Sequence, residues 1–126
     1  MHTILVVDDY VDSCTVLAKL LTMLGDKALC VCSGQEALDS LQLRIPSLVI
    51  LDVMMPGMDG MEVLRRIRCE PRTSHLPVVM FSAIDDPAFA DNAKAKGATD
   101  FWMKSRMDFS TLHQCVARYM ALPAAA

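Results

Sequence analysis

No apolar run in this chain approaches the roughly 18 residues that cross a bilayer, and the polar opening Met1-His2-Thr3 is no secretory leader. The five cysteines (Cys14, Cys30, Cys32, Cys69 and Cys115) are odd in number and form no Cys-x-x-Cys pair. Neither zinc nor a disulfide framework fits that spacing. They are expected as small buried hydrophobes in a reducing cytoplasm. Basic charge is also scarce: twelve Lys and Arg against fifteen Asp and Glu leave a net charge of −3. With no basic stretch, nucleic-acid binding by this chain is not expected. The histidines His2, His75 and His113 share neither spacing nor neighbours, so they make no ligand set. The first candidate turn, Asp8-Asp9-Tyr10, holds no glycine, which argues against a dinucleotide fold.

What is present is a core. At 126 residues, 53% hydrophobic and 21% charged, the chain fits one domain that needs no staples. Its organising stretch is Leu48-Val-Ile-Leu-Asp52-Val-Met-Met-Pro56-Gly-Met-Asp59-Gly60. The apolar run reads as a strand buried on both faces, and Asp52 stands where the chain must turn. In open parallel sheets, ligands bind just beyond such strand ends.

The remaining elements alternate around it. Thr3 to Val7 is a short strand ending in Asp8-Asp9, and a helix follows from Val11 to Leu24 with Val16, Leu17, Leu20, Leu21 and Leu24 at helical spacing, closed by Gly25. Ala28 to Cys32 is a second strand, and Ser33-Gly-Gln-Glu36 matches a capping box for a helix reaching Leu43. Past Gly60, Met61, Val63, Leu64 and Ile67 form a helical stripe, with Arg65, Arg66 and Arg68 read as its solvated face. Pro77 to Phe81 is a fourth strand stopping at Ser82, Asp85-Asp86-Pro87 opens a helix ended by Gly97, and Ala98 to Met103 is a fifth strand before Lys104. A last helix spans about Asp108 to Met120. Residues 1–121 form one domain, and residues 122–126 are a tail or the start of a linker.

Strands alternating with helices across short loops predict an α/β fold, a doubly wound parallel sheet. The pattern alone does not give the strand order. It does bring Asp8, Asp9, Asp52, Ser82 and Lys104 to one edge of the sheet. Three carboxylates in one cleft stay ionised together only with a cation between them. A hard divalent ion, Mg²⁺ by preference, meets that need. Lys104 and the Ser82 hydroxyl could hold the oxygens of a phosphoryl group on Asp52, whose attack would form an acyl phosphate.

These motifs resemble the receiver domain of two-component response regulators over about residues 3 to 120. The matching pieces are Asp8-Asp9, the pattern Asp52-x-x-Met55-Pro56-x-x-Asp59-Gly60, the hydroxyl in Phe81-Ser82-Ala83, and Gly97-Ala98 leading to Lys104. The stretches Leu64-Arg-Arg-Ile-Arg68 and Leu76-Pro-Val-Val-Met80 are also typical of that family. The resemblance implies a flavodoxin-like sheet of five strands in the order 2-1-3-4-5 with five helices. It implies that Asp52 accepts a phosphoryl group from a sensor histidine kinase or a histidine phosphotransfer protein. Asp9 and Asp52 would ligate Mg²⁺, Asp8 would act mostly through water, and the Met54 backbone carbonyl would add an oxygen. Ser82 and Lys104 would bind phosphoryl oxygens. Ser82 and Phe101 would form a switch that changes the surface of the fourth helix, fifth strand and fifth helix. A downstream protein or a missing output domain would read that surface, and a homodimer could form through it. The chain would be a cytoplasmic phosphoacceptor that takes part in its own phosphorylation and dephosphorylation, rather than an enzyme acting on other substrates.

Two features depart from the family. Ser105 follows Lys104 where proline is usual, and a non-proline cis bond costs about 2.5–4 kcal/mol, so a trans bond is expected. Met54 and Ile84 flank the path of the attacking water and accept no hydrogen bond, which predicts slow loss of the phosphoryl group. Taken singly, several residues have plainer readings: Asp8-Asp9 as a loop acid and a helix N-cap, Phe101 as core, and Met54, Met55, Met58 and Met61 as packing. A rival function is an interaction module of the same fold that is never phosphorylated. An aspartate-dependent phosphatase would carry a second Asp where Met54 stands.

Overall fold

Five short, mostly apolar runs become the strands of one sheet in the computed structural model, which describes residues 2–120. They are β1 (Thr3–Val7), β2 (Lys27–Val31), β3 (Leu48–Asp52), β4 (Val78–Ser82) and β5 (Asp100–Met103). The helices between and after them are α1 (Val11–Met23), α2 (Gly34–Leu43), α3 (Gly60–Cys69), α4 (Pro87–Ala95) and α5 (Phe109–Met120). All neighbouring strands run parallel, in the order β2-β1-β3-β4-β5. This is the order the resemblance implied. The tail assigned to residues 122–126 lies outside the described residues.

The central strand shows why its sequence does not alternate between polar and apolar. Val49 and Leu51 pack on one face of the sheet with Val63, Leu64 and Ile67 of α3. Leu48 and Ile50 pack on the other with Leu17 and Leu21 of α1 and Leu112 and Val116 of α5. With helices on both sides, every β3 side chain is buried, as a parallel sheet requires. β2 is an edge strand and has no fully buried residue. Phe101 and Trp102 point to opposite faces, and both are buried.

Local signals held at the helix ends. Ser33 Oγ accepts the Glu36 N–H at 3.1 Å, while the Glu36 carboxylate reaches back to the Cys32 N–H at 3.3 Å. Gly25 and Gly97 follow α1 and α4 with φ of 95° and 115°, a region that favours glycine. No cis peptide bond occurs among the described residues, so Lys104–Ser105 is trans, and Lys104–Arg106 winds into a 3-10 turn.

Four expectations are corrected. Val16 is exposed, and the buried α1 stripe is Cys14, Leu17 and Leu21. Of the five cysteines, all free, only Cys14 is buried, while Cys30 and Cys69 are exposed. Met54 is exposed rather than packed, while Val53 and Met55 on either side of it are buried. Arg68 is not solvated like Arg65 and Arg66, which pair with Glu62. It turns inward at the amino edge of the sheet, donating to the carbonyls of Leu76 (2.7 Å), Gly97 (2.8 Å), Thr73 (3.3 Å) and Ser74 (3.3 Å).

Candidate functional site

Sheet register decides which side chains meet. Val7 is level with Leu51, so Asp8 and Asp52 leave β1 and β3 side by side. Asp52 is level with Phe81, and Ser82 is level with Met103, which puts Ser82 and then Lys104 one step further along. Gly60 lets α3 begin tight under this edge. Its N–H donates to the Val53 carbonyl at 2.9 Å, and a Cβ there would collide with the Asp52 carbonyl.

The acids converge as expected. One carboxylate oxygen from each of Asp8, Asp9 and Asp52 lies within 4.8 Å of the others, with Asp8 and Asp52 buried and Asp9 exposed. Lys104 enters from β5, with Nζ 3.3 Å from Asp8 Oδ2 and 3.8 Å from Asp52 Oδ2. The same ammonium sits 5.4 Å from the centre of the Phe81 ring, a cation–π contact that helps aim it. The second oxygens are held by backbone. Asp52 Oδ1 accepts the Met54 N–H at 3.3 Å, and Asp8 Oδ1 accepts the Tyr10 N–H at 3.0 Å. The N-cap of α1 is Tyr10 and no side chain caps it, so neither acid serves as that cap.

The flanking residues divide by exposure. Ser82 is fully buried, its Oγ accepting the Ile84 N–H at 3.1 Å. Phe101 is buried under α4, edge-on to Phe89 with ring centres 5.8 Å apart. Met54 is exposed and Ile84 half-buried, and both line an open groove of about 530 Å³ together with Met61 and Phe89. Spacing along the sequence did not reveal that Lys104 stands nearer Asp8 than Asp52, nor that Phe81 supports it. The period-2 alternation of β4, with Met80 and Phe81 on opposite faces, was the available signal for Phe81.

Electrostatics complete the picture. Burial lifts the Asp52 carboxyl from 3.8 to about 6; the Lys104 ammonium works against that rise and the neighbouring Asp8 adds to it. Three carboxylates facing one ammonium leave the pocket short of positive charge. An all-oxygen donor set of this kind fits a hard divalent cation such as Mg²⁺.

An acidic pocket with one lysine at the carboxyl edge of a 2-1-3-4-5 sheet defines the receiver class. The family model for the response regulator receiver domain matches residues 4–117. The response regulator PleD of Caulobacter vibrioides is 38% identical over 101 residues, covering 80% of this chain and 22% of PleD. The phosphate regulon transcriptional regulatory protein PhoB of Rhizobium meliloti is 40% identical over 89 residues, covering 71% of this chain and 37% of PhoB. This chain therefore spans well under half the length of these curated relatives. Among solved structures, the Vibrio cholerae chemotaxis protein CheY4 superposes with a TM-score of 0.87 at 28% identity, covering 94% of this chain and 98% of CheY4. The chain belongs to the response regulator receiver domain family and thus to two-component signalling. Among the described residues, no helix is long and apolar enough to cross a membrane.

Proposed function

We propose that Asp52 is a phosphoacceptor charged by the phosphohistidine of a sensor histidine kinase or a histidine phosphotransfer protein. The meeting of three carboxylates and Lys104 from three separate strand ends carries this reading. An Asp52 oxygen attacks phosphorus, the P–N bond of the donor breaks, and the imidazole keeps the electron pair and takes up a proton. Asp8, Asp9, Asp52 and the Met54 carbonyl would hold Mg²⁺. When bound, the ion neutralises charge on the transferred group. Lys104 takes a phosphoryl oxygen, exchanging its contact with Asp8 for one with the new phosphate. Its compact ammonium suits an oxygen that arrives from one side.

The buried Ser82 hydroxyl binds a second phosphoryl oxygen by turning from the Ile84 N–H. That movement opens space beside Phe101, and the ring's rotation changes the face made by α4, β5 and α5. A cytoplasmic protein target, an output domain outside this chain, or a second copy then reads that face. Met54 and Ile84 offer an approaching water no acceptor, which favours a long-lived phosphorylated state.

Incubation with Mg²⁺ and acetyl phosphate tests the acceptor. We expect one added phosphate by mass spectrometry in the wild-type protein and none in Asp52→Asn. A wild-type chain that stays unlabelled would favour the rival reading, a module that signals by docking alone. Ser105 is the feature that points toward that rival, whereas the two Lys104 ion pairs support the acceptor.

A further inference from the structure

Three cysteines gather along the seam between α1 and β2. Cys14 is buried on α1, Cys30 is exposed on β2, and Cys32 lies one step past that strand. The Cys30 thiol donates to the Cys14 carbonyl at 3.0 Å, which seats its sulfur against the residue that carries the Cys14 thiol. Cys14 Sγ rests 3.6 Å from the Val6 carbonyl and 3.9 Å from the Val31 carbonyl. Cys69 and Cys115 sit elsewhere, on α3 and α5.

We propose that Cys14 and Cys30 form a redox-modification site, in which a peroxide oxidises Cys30 and Cys14 closes a disulfide joining α1 to β2. The exposed thiol takes the first step. Cys30 thiolate attacks one peroxide oxygen, the O–O bond breaks, and the second oxygen leaves as water after taking a proton. Cys30 becomes a sulfenic acid. Cys14 sulfur then attacks Cys30 sulfur, the S–O bond breaks, and the departing hydroxide takes the Cys14 proton as a second water. Two thiols are oxidised by two electrons and one peroxide is reduced to two waters. Burial pushes the Cys14 thiol above its ordinary range, so Cys14 is inert toward free oxidant and acts only through its neighbour. Cys30 is the exposed thiol of the three, with Cys32 half-buried and Cys14 buried, so Cys30 is the one a peroxide in solution meets first.

The seam connects to the acidic pocket through one carbonyl. Val31 O, which Cys14 Sγ touches, accepts the Asp8 N–H at 3.1 Å. Drawing Cys14 toward Cys30 pulls on the strand end that positions Asp8, so the disulfide slows phosphoryl acceptance. This last consequence rests on the function proposed above; the disulfide itself does not.

Treating the reduced full chain with hydrogen peroxide, then unfolding, alkylating and digesting it, tests the site. The expected result is the loss of two of the five alkylatable thiols, a linked Cys14–Cys30 peptide, and full recovery with dithiothreitol. Cys30→Ser, an exposed and near-isosteric change, abolishes the linked peptide, whereas Cys69→Ser retains it. Five alkylated thiols after treatment overturn the proposal, and so does a Cys30–Cys32 link with Cys14 unmodified. In the labelling arm, oxidised wild type takes up phosphate more slowly than reduced wild type, and treated Cys30→Ser does not slow. Equal rates with the disulfide in place overturn the coupling to Asp8. Absence of labelling even in the reduced protein counts against the phosphoacceptor and leaves the thiol chemistry to be judged by its own peptide.

Discussion

Two cations are drawn into this molecule at opposite edges of one sheet, and they do different work. Arg68, at the amino edge, donates to four backbone carbonyls and to Thr99 Oγ1, at 3.4 Å. Its partners are neutral, several and close. Lys104, at the carboxyl edge, faces two buried carboxylates at 3.3 and 3.8 Å, with a third acid beside them. A guanidinium whose Nε and Nη1 donors are taken up by carbonyls is committed to the backbone, so it fastens α3 to the loops before β4 and β5. An ammonium outnumbered by carboxylates belongs to a pocket with negative charge left to balance, the donor chemistry that suits a hard cation. Saturation separates the two roles better than burial does.

The largest expected effect comes from the carboxyl edge. Lys104→Ala should slow Asp52 labelling by small phosphodonors about a hundredfold, the usual cost of losing one charge-stabilising group, as read from rates by mass spectrometry. At the amino edge, Arg68→Ala should leave intrinsic labelling of the folded protein unchanged and lower stability by about 3 kcal/mol, since it orphans carbonyls held by a charged donor. The urea midpoint measures this, and Arg65→Ala on the exposed face of the same helix should leave the midpoint in place. If Lys104→Ala affected only stability and Arg68→Ala only labelling, the contrast between the edges would be wrong.

A pH series sharpens it further. The Asp52 carboxyl titrates at about 6 in the folded chain against an ordinary 3.8. Below about pH 4 it is protonated in both folded and unfolded chains and has no net effect. Between pH 4 and 6 the unfolded chain ionises first, and folding is progressively disfavoured. Above pH 6 the full cost, about 3 kcal/mol, is present. In chelator, Asp52→Asn should therefore stabilise the protein at pH 8 and have no effect on stability at pH 4. Excess Mg²⁺ should raise wild-type stability at pH 8 and narrow that gap. The smallest effect is kinetic: Met54→Asn with Ile84→Glu should speed loss of phosphate several-fold, followed by decay of the labelled mass.

The sequence made the elements legible because each carries its own punctuation. Ser33, Gly25 and Gly97 fix helix ends through local hydrogen bonds and backbone conformation, and β3 is uniformly apolar because both its faces are covered. Strand order was not in that pattern; it came with the receiver motifs. The acids and Lys104 were legible for a related reason, since each follows an apolar run that must end at the same edge. What stayed hidden depends on distant backbone. Arg68 resembles its neighbours Arg65 and Arg66 in sequence, and only the arrival of Leu76 and Gly97 carbonyls turns it inward. Cys30 reads as core by composition, yet β2 is an edge strand and leaves it exposed.

The pairing of Val7 with Leu51 has one more consequence. Side chains on a strand alternate sides, so sliding β3 by a single residue would send Asp52 to the wrong side and bring a leucine or a valine to the pocket. Insertions or deletions between Pro46 and Asp52 should thus be intolerable one residue at a time. The address of that carboxylate is written in the alignment of two backbones, and a frame slip that kept every residue would still erase it.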